Sequence, residues 1–226
     1  MFRKLAAGWL LTCAFAAFGQ IAPESHFASV FENPQVTVYS IELAPRSRAT
    51  VFQGTHDVIW VALGDSSLTF ARRDRNDTVD LRPGDVRIFR EFDLKTVSNE
   101  RAAAARGILI QIRARGEMPN CGCSTPVERS VCGCGESVHL PPLWALSFGR
   151  ITFGGTTLQG GQAFLGSSYR DDMLMVAVSD VDLKDDAAAQ PSEIKLAAGE
   201  THWFAAGAHQ FRNLANGAAR FITVEF

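Results

Sequence analysis

The side chains best suited to chemistry are four cysteines in one short stretch: Cys121-Gly-Cys123 and, after eight intervening residues, Cys132-Gly-Cys134. Four thiolates can hold a tetrahedral zinc ion, but zinc sites favour at least two residues between paired cysteines. A bridge inside Cys-x-Cys closes a strained ring, so the favoured reading is two disulfides running between the pairs in an oxidising compartment. Zinc and free redox-active thiols stay open as alternatives, and the pairing is undetermined by sequence. Every version makes residues 116–140 a stapled, Cys-rich linker loop. The five histidines (His26, His56, His139, His202 and His209) are scattered, and no nucleophile–base constellation, phosphate loop or dinucleotide fingerprint surrounds them.

The compartment follows from the first segment. Arg3 and Lys4 precede an apolar run from Leu5 to Phe18, and Ala17-Phe18-Gly19 ends it with small residues at the two positions a signal peptidase inspects. Residues 1–19 are therefore expected to be an export signal, and the product to be periplasmic or secreted. Its removal takes two basic side chains and no acidic ones from a chain of net charge −2, leaving 20 against 24, or −4. A mildly acidic chain lacks the basic excess that nucleic-acid binding demands. Beyond the signal no apolar run is long enough to span a bilayer.

An internal repeat sets the elements that must position any site. Asp57-Val-Ile-Trp-Val-Ala-Leu-Gly64 lies on Asp172-Met-Leu-Met-Val-Ala-Val-Ser179 at an offset of 115, as does Pro83-Gly84-Asp85 on Ala198-Gly199-Glu200. Asn99 falls on Asn213, and Ala105-Arg106 on Ala219-Arg220, at 114. So long a period means a duplicated domain and not a solenoid. Short apolar runs punctuated by Gly, Pro, Asn and Asp predict strands at Val36–Leu43, Val58–Leu63, Ser67–Phe70, Val86–Phe89, Thr96–Val97 and Ile108–Ile112. The second copy predicts them at Ile151–Phe153, Met173–Val178, Ile194–Leu196, His202–Phe204 and Phe221–Phe226. The alanines of 101–106 suit a helix, but their repeat partner carries Asn216-Gly217, so both connectors are expected to be turns. The mixed-charge stretch from Arg72 to Asp77 is expected to be a solvated hairpin tip.

A carboxylate, an apolar strand and a Gly seven residues on, followed by Pro-Gly-Asp or Ala-Gly-Glu and a later Asn, resemble the two motifs of the cupin superfamily. The resemblance covers the whole exported chain and implies an all-β fold of two tandem cupin barrels of the jelly-roll type. The signal (1–19) is followed by one barrel at 20–115, the linker at 116–140 and a second barrel at 141–226.

Cupins that do chemistry hold a divalent metal on a His-x-His pair, a carboxylate and a further His. The first copy has Asp57 at the carboxylate position, no histidine across Val51 to Gly54, and Lys95 at the second-motif His position. A buried carboxylate needs a partner, so Lys95 is expected to be counter-ion to Asp57 in place of a metal; a solvated lysine and a catalytic amine are the alternatives. The second copy has Asp172 at the carboxylate position, His209 at the second-motif position and His202 nearby, with Gly166 to Ser168 where His-x-His would stand. An inherited hydrogen-bonded His–Asp pair is the favoured reading, beside a metal-free acid–base pair and a weak site for iron, manganese, nickel or zinc.

The expectation is thus an exported bicupin with degenerate metal sites and no resident cofactor, binding a small molecule or carbohydrate or serving structurally. The alternative is a metal-dependent oxygenase or isomerase running on the second barrel. Homo-oligomers are common in such families, though no sequence feature marks an interface.

Overall fold

A computed structural model describes residues 26–51, 56–113, 124–133, 140–164, 168–169, 171–187 and 192–226. The expected export signal, Cys121, Cys123 and Cys134 lie outside them. The first copy forms β1 (His26–Glu32), β2 (Val36–Leu43), β3 (Arg48–Thr50), β4 (Asp57–Ala62), β5 (Ser66–Arg72), β6 (Asn76–Leu81), β7 (Val86–Phe89), β8 (Leu94–Asn99) and β9 (Ala105–Ile112). A helix, α1 (Pro126–Cys132), comes next. The second copy supplies β10 (Leu143–Phe148), β11 (Ile151–Leu158), β12 (Ala163–Phe164), β13 (Ser168–Tyr169), β14 (Met173–Ala177) and β15 (Val181–Asp185). It ends with β16 (Ser192–Leu196), β17 (Thr201–Phe204), β18 (Gly207–Ala208), β19 (Phe211–Asn213) and β20 (Ala219–Glu225).

The strand order repeats. A five-stranded sheet β1-β2-β9-β4-β7 faces a four-stranded sheet β3-β8-β5-β6, and the second copy matches them with β10-β11-β20-β14-β17 and β12-β19-β15-β16. The second copy also carries the two-stranded β13-β18. Two jelly-roll barrels result. Predicted strands in both copies are observed with ends shifted by a few residues, and the connectors before β9 and β20 are turns as expected.

Helix α1 is a correction, because the linker was expected to be loop throughout. Its start is written in the sequence as a capping box: Glu128 N–H donates to the Thr125 hydroxyl, and the Glu128 carboxylate accepts from Thr125 N–H, with Pro126 in the first turn. Gly133 ends it at φ 66°, in the left-handed region.

Alternation along each five-stranded sheet divides the side chains between two cores. Val58, Trp60 and Ala62 of β4 point into the first barrel with Leu68, Phe70, Phe89, Val97 and Leu109. Ile59 and Val61 point the other way, into a shared layer with Ile108, Ile110, Leu174, Val176, Ile222 and Val224. The second barrel encloses Met173, Met175, Leu183, Phe211 and Phe221. Strands β4 and β14 inside the large sheets are therefore covered on both faces, and the shared layer joins the two barrels. The aromatic stack of Phe31 in β1 on Trp203 in β17 crosses the same seam, centroids 5.7 Å apart.

Candidate functional site

The motif residues of the sequence are brought into equivalent places in the two barrels, where they organise backbone. Asp57 precedes the apolar part of β4 and shares the parity of Ile59 and Val61, so it belongs to the seam-facing side and not to the barrel interior. It is 2% exposed, accepts from Glu91 N–H at 2.8 Å, and lies 3.3 Å from Arg90 Nε. Asp172 repeats the arrangement, accepting from Ala206 N–H at 2.9 Å, the residue 34 positions on in both copies. Asn99 and Asn213 do likewise at another corner. Asn99 Nδ2 donates to the carbonyls of Leu43, Ala44 and Ala103, and Asn213 Nδ2 to those of Leu158 and Gly217. Both are essentially fully buried, where an unmet carbonyl would cost about 1–3 kcal/mol.

The expected Asp57–Lys95 pair does not form. Lys95 lies on the outward face of β8, exposed, and no ion pair joins it to Asp57 among the described residues. Arg90 takes the place beside the carboxylate. The physical reason is strand parity: every residue of β4 is buried, so burial alone does not distinguish interior from seam.

In the second barrel His209 is not brought to Asp172. Its partner is Asp185, at the end of β15, which the sequence reading did not single out. His209 Nδ1 sits 2.6 Å from Asp185 Oδ2, while Nε2 faces the Ala205 carbonyl at 3.0 Å. Asp185 is 1% exposed, and its other oxygen accepts from the N–H groups of Gln210 and Ala187 at 2.9 and 3.1 Å. Burial works to raise the Asp185 carboxyl, but the His209 hydrogen bond and the two backbone donors outweigh it, holding the group below its ordinary 3.8. Phe204 separates His209 from His202, with centroids 5.0 and 4.5 Å away. Burial pushes His202 below its ordinary 6.5.

The donor set does not fit a barrel metal. Nδ1 of His209 is turned to the Asp185 carboxylate and Nε2 to the Ala205 carbonyl. Both ring nitrogens are therefore taken by protein oxygens, and Asp172 accepts from the Ala206 N–H. No group of three or more His, Cys, Asp or Glu side chains gathers among the described residues.

Arg72 and Arg75, from the stretch expected to be a solvated hairpin tip, instead join Arg87 of β7 in tying the linker to the first barrel. Arg87, 4% exposed, donates to the Ser130 carbonyl, Arg72 Nη1 to that of Cys132 at 3.4 Å, and Arg75 Nη2 to that of Gly133 at 2.7 Å. Three guanidiniums thereby satisfy the carbonyls at the end of α1, where the helix dipole favours positive charge. Arg72 also pairs with Asp77 and Asp93. Burial lowers the Arg87 pKa.

Solved structures share this architecture. AerE from Microcystis aeruginosa superposes with a TM-score of 0.65 at 10% identity, over 91% of this chain and 94% of its own. The Bacillus subtilis oxalate decarboxylase gives 0.59 at 12% identity, over 89% and 72%.

The chain has the tandem cupin fold.

A cupin 2 conserved barrel domain protein from Leptotrichia buccalis matches this bicupin at TM-score 0.53 and 11% identity, over 89% and 88% of the chains. No protein-family model matches the sequence, and no curated protein matches it. Identities this low establish the fold alone.

Proposed function

We infer that this bicupin is an exported binding module for a small molecule or carbohydrate, and that it does not work through a metal held in either barrel. The observation that carries the reading is His209, the one motif histidine of the resemblance. Both its ring nitrogens face protein oxygens, and the motif carboxylates Asp57 and Asp172 accept from backbone N–H groups. The aromatic and aliphatic filling of both interiors agrees, since it leaves recognition to surfaces outside the barrels. Export is supported by the N-terminal sequence and by Cys132, which is disulfide-bonded; bridges between the Cys121/Cys123 and Cys132/Cys134 pairs would staple the linker. Among the described residues no helix is long and apolar enough to cross a membrane.

Elemental analysis of protein purified without chelators tests the reading. The expected result is sub-stoichiometric iron, manganese, nickel and zinc, unchanged in His209→Ala. One equivalent of any of these, lost in that variant, would replace the binding reading with a metal-dependent enzyme.

A further inference from the structure

The turn Pro83-Gly84-Asp85 of the first barrel meets β11 and β20 of the second at the seam, and a cavity of about 280 Å³ opens beside it. Five polar residues border it: Thr156, which is buried, and Asp85, Thr157, Gln159 and Arg220. Arg220 is anchored, its Nη2 donating to the Pro83 carbonyl, which leaves Nε and Nη1 without a protein acceptor among the described residues. Asp85 Oδ2 accepts from Arg82 N–H at 2.7 Å, and Oδ1 has no protein donor there. The Thr157 hydroxyl and the Gln159 amide are likewise uncommitted. Trp144 and Pro141 supply an apolar wall.

This set has a definite chemical preference. One carboxylate and one guanidinium cancel in charge, so neither an anion nor a cation is favoured over the other. Anchored Arg220 donates and anchored Asp85 accepts, with the Thr157 hydroxyl and Gln159 amide able to do both, which suits hydroxyl groups because each both donates and accepts. The exposed Pro141 and Pro142, with the small part of Trp144 left accessible, suit the C–H side of a ring. The volume lies just under the ~300–1,000 Å³ of ordinary small-molecule sites, which limits the ligand to about one ring.

The cleft is also no by-product of the duplication. Strand registers pair Ala28 with Ser40 and Trp144 with Gly155, so Ala28 stands in the first copy where Trp144 stands in the second. By the same offset Glu42 occupies the place of Thr157, and Glu200 that of Asp85. The symmetric position therefore carries two acids and lacks the indole.

We propose that the interbarrel cleft binds a neutral polyhydroxylated molecule of monosaccharide size between Asp85 and Arg220, with its apolar side toward Pro141 and the accessible margin of Trp144. The proposal rests on the binding reading above and gives that reading a place and a ligand class.

Saturation-transfer NMR and calorimetric titration of the full exported chain with D-glucose, D-galactose, D-mannose and myo-inositol test it, with D-galacturonate and D-glucosamine as charged controls. At least one neutral probe should bind more tightly than both charged ones. Its Kd should rise about tenfold or more in Asp85→Asn and in Gln159→Ala, and should be unchanged in His209→Ala. Thr157→Tyr, which fills the cleft, should abolish binding while the melting curve shows a folded protein. The proposal is overturned by absence of binding to every neutral probe, by tighter binding of a charged control, or by binding that survives both Gln159→Ala and Thr157→Tyr. Metal content measured on the same sample separates the two failures: a stoichiometric metal sinks the function reading, whereas lost sugar binding in metal-free protein sinks the cleft alone.

Discussion

Asp185 and His209 form a buried contact of 2.6 Å, and removing either partner leaves the other without it. A double-mutant cycle of Asp185→Asn and His209→Ala should return a coupling of about 1–2 kcal/mol, read from denaturant unfolding; additive losses would show that the two side chains do not interact. The acid dependence follows from signs. Asp185 is held below 3.8 in the folded chain, so its contribution is complete above about pH 4 and lost as pH falls through the lowered value. His202 is pushed below 6.5 by burial, so its contribution is complete above about pH 6.5 and lost below it. Melting temperature should therefore fall in two stages on acidification, the upper stage vanishing in His202→Gln and the lower in Asp185→Asn. Asp185 was hidden from sequence reasoning because the repeat offset sets it against Phe70, an ordinary core residue of the first barrel. His209 was visible as a motif position, but its partner was not.

The strands were legible because duplicated apolar runs and duplicated turn residues reinforce one another. Their facing was not. A strand covered on both sides shows no alternation of apolar and polar residues, so Asp57 was expected to meet Lys95 when its parity places it with Ile59 and Val61. The linker helix was missed for a different reason: seven residues are too few for a periodic pattern, although Thr125, Pro126, Glu128 and Gly133 spell out both caps. Its attachment to the first barrel depends on Arg72, Arg75 and Arg87, which are distant in sequence from the carbonyls they bind. Arg87→Met should free α1 without unfolding the barrel. Amide exchange across residues 128–133 should quicken by about tenfold, corresponding to ~1.4 kcal/mol, while β4 and β9 stay protected. Equal acceleration in both would mean that the helix is integral to the barrel.

At the scale of the molecule, the duplication behaves like a two-fold dimer carried on one chain. Gly84 has φ 87° and lies against Val178 and Arg220; Gly199 has φ 93° and lies against Leu63 and Arg106, the equivalent pair across the seam. An added Cβ would stand 3.2 Å from Arg220 Nη2 at the first position and 2.9 Å from Leu63 Cδ1 at the second, in backbone conformations that L side chains rarely adopt. Gly84→Ala and Gly199→Ala should each cost about 1–2 kcal/mol and lower the melting temperature to a similar degree. A neutral effect at both would dissolve the pseudo-symmetric account of the seam. The repeat in the sequence announced two barrels; which faces they turn to each other is visible only in the folded structure, because equal burial on both sides of β4 and β14 conceals the choice.

That double covering has an outcome for diversification. Strands β4 and β14 are landlocked, and a substitution on either side of them disturbs one core or the other. New specificity in this lineage is steered toward the periphery, where the copies have already drifted apart: the rim of the seam, with an indole on one flank and a methyl on the other.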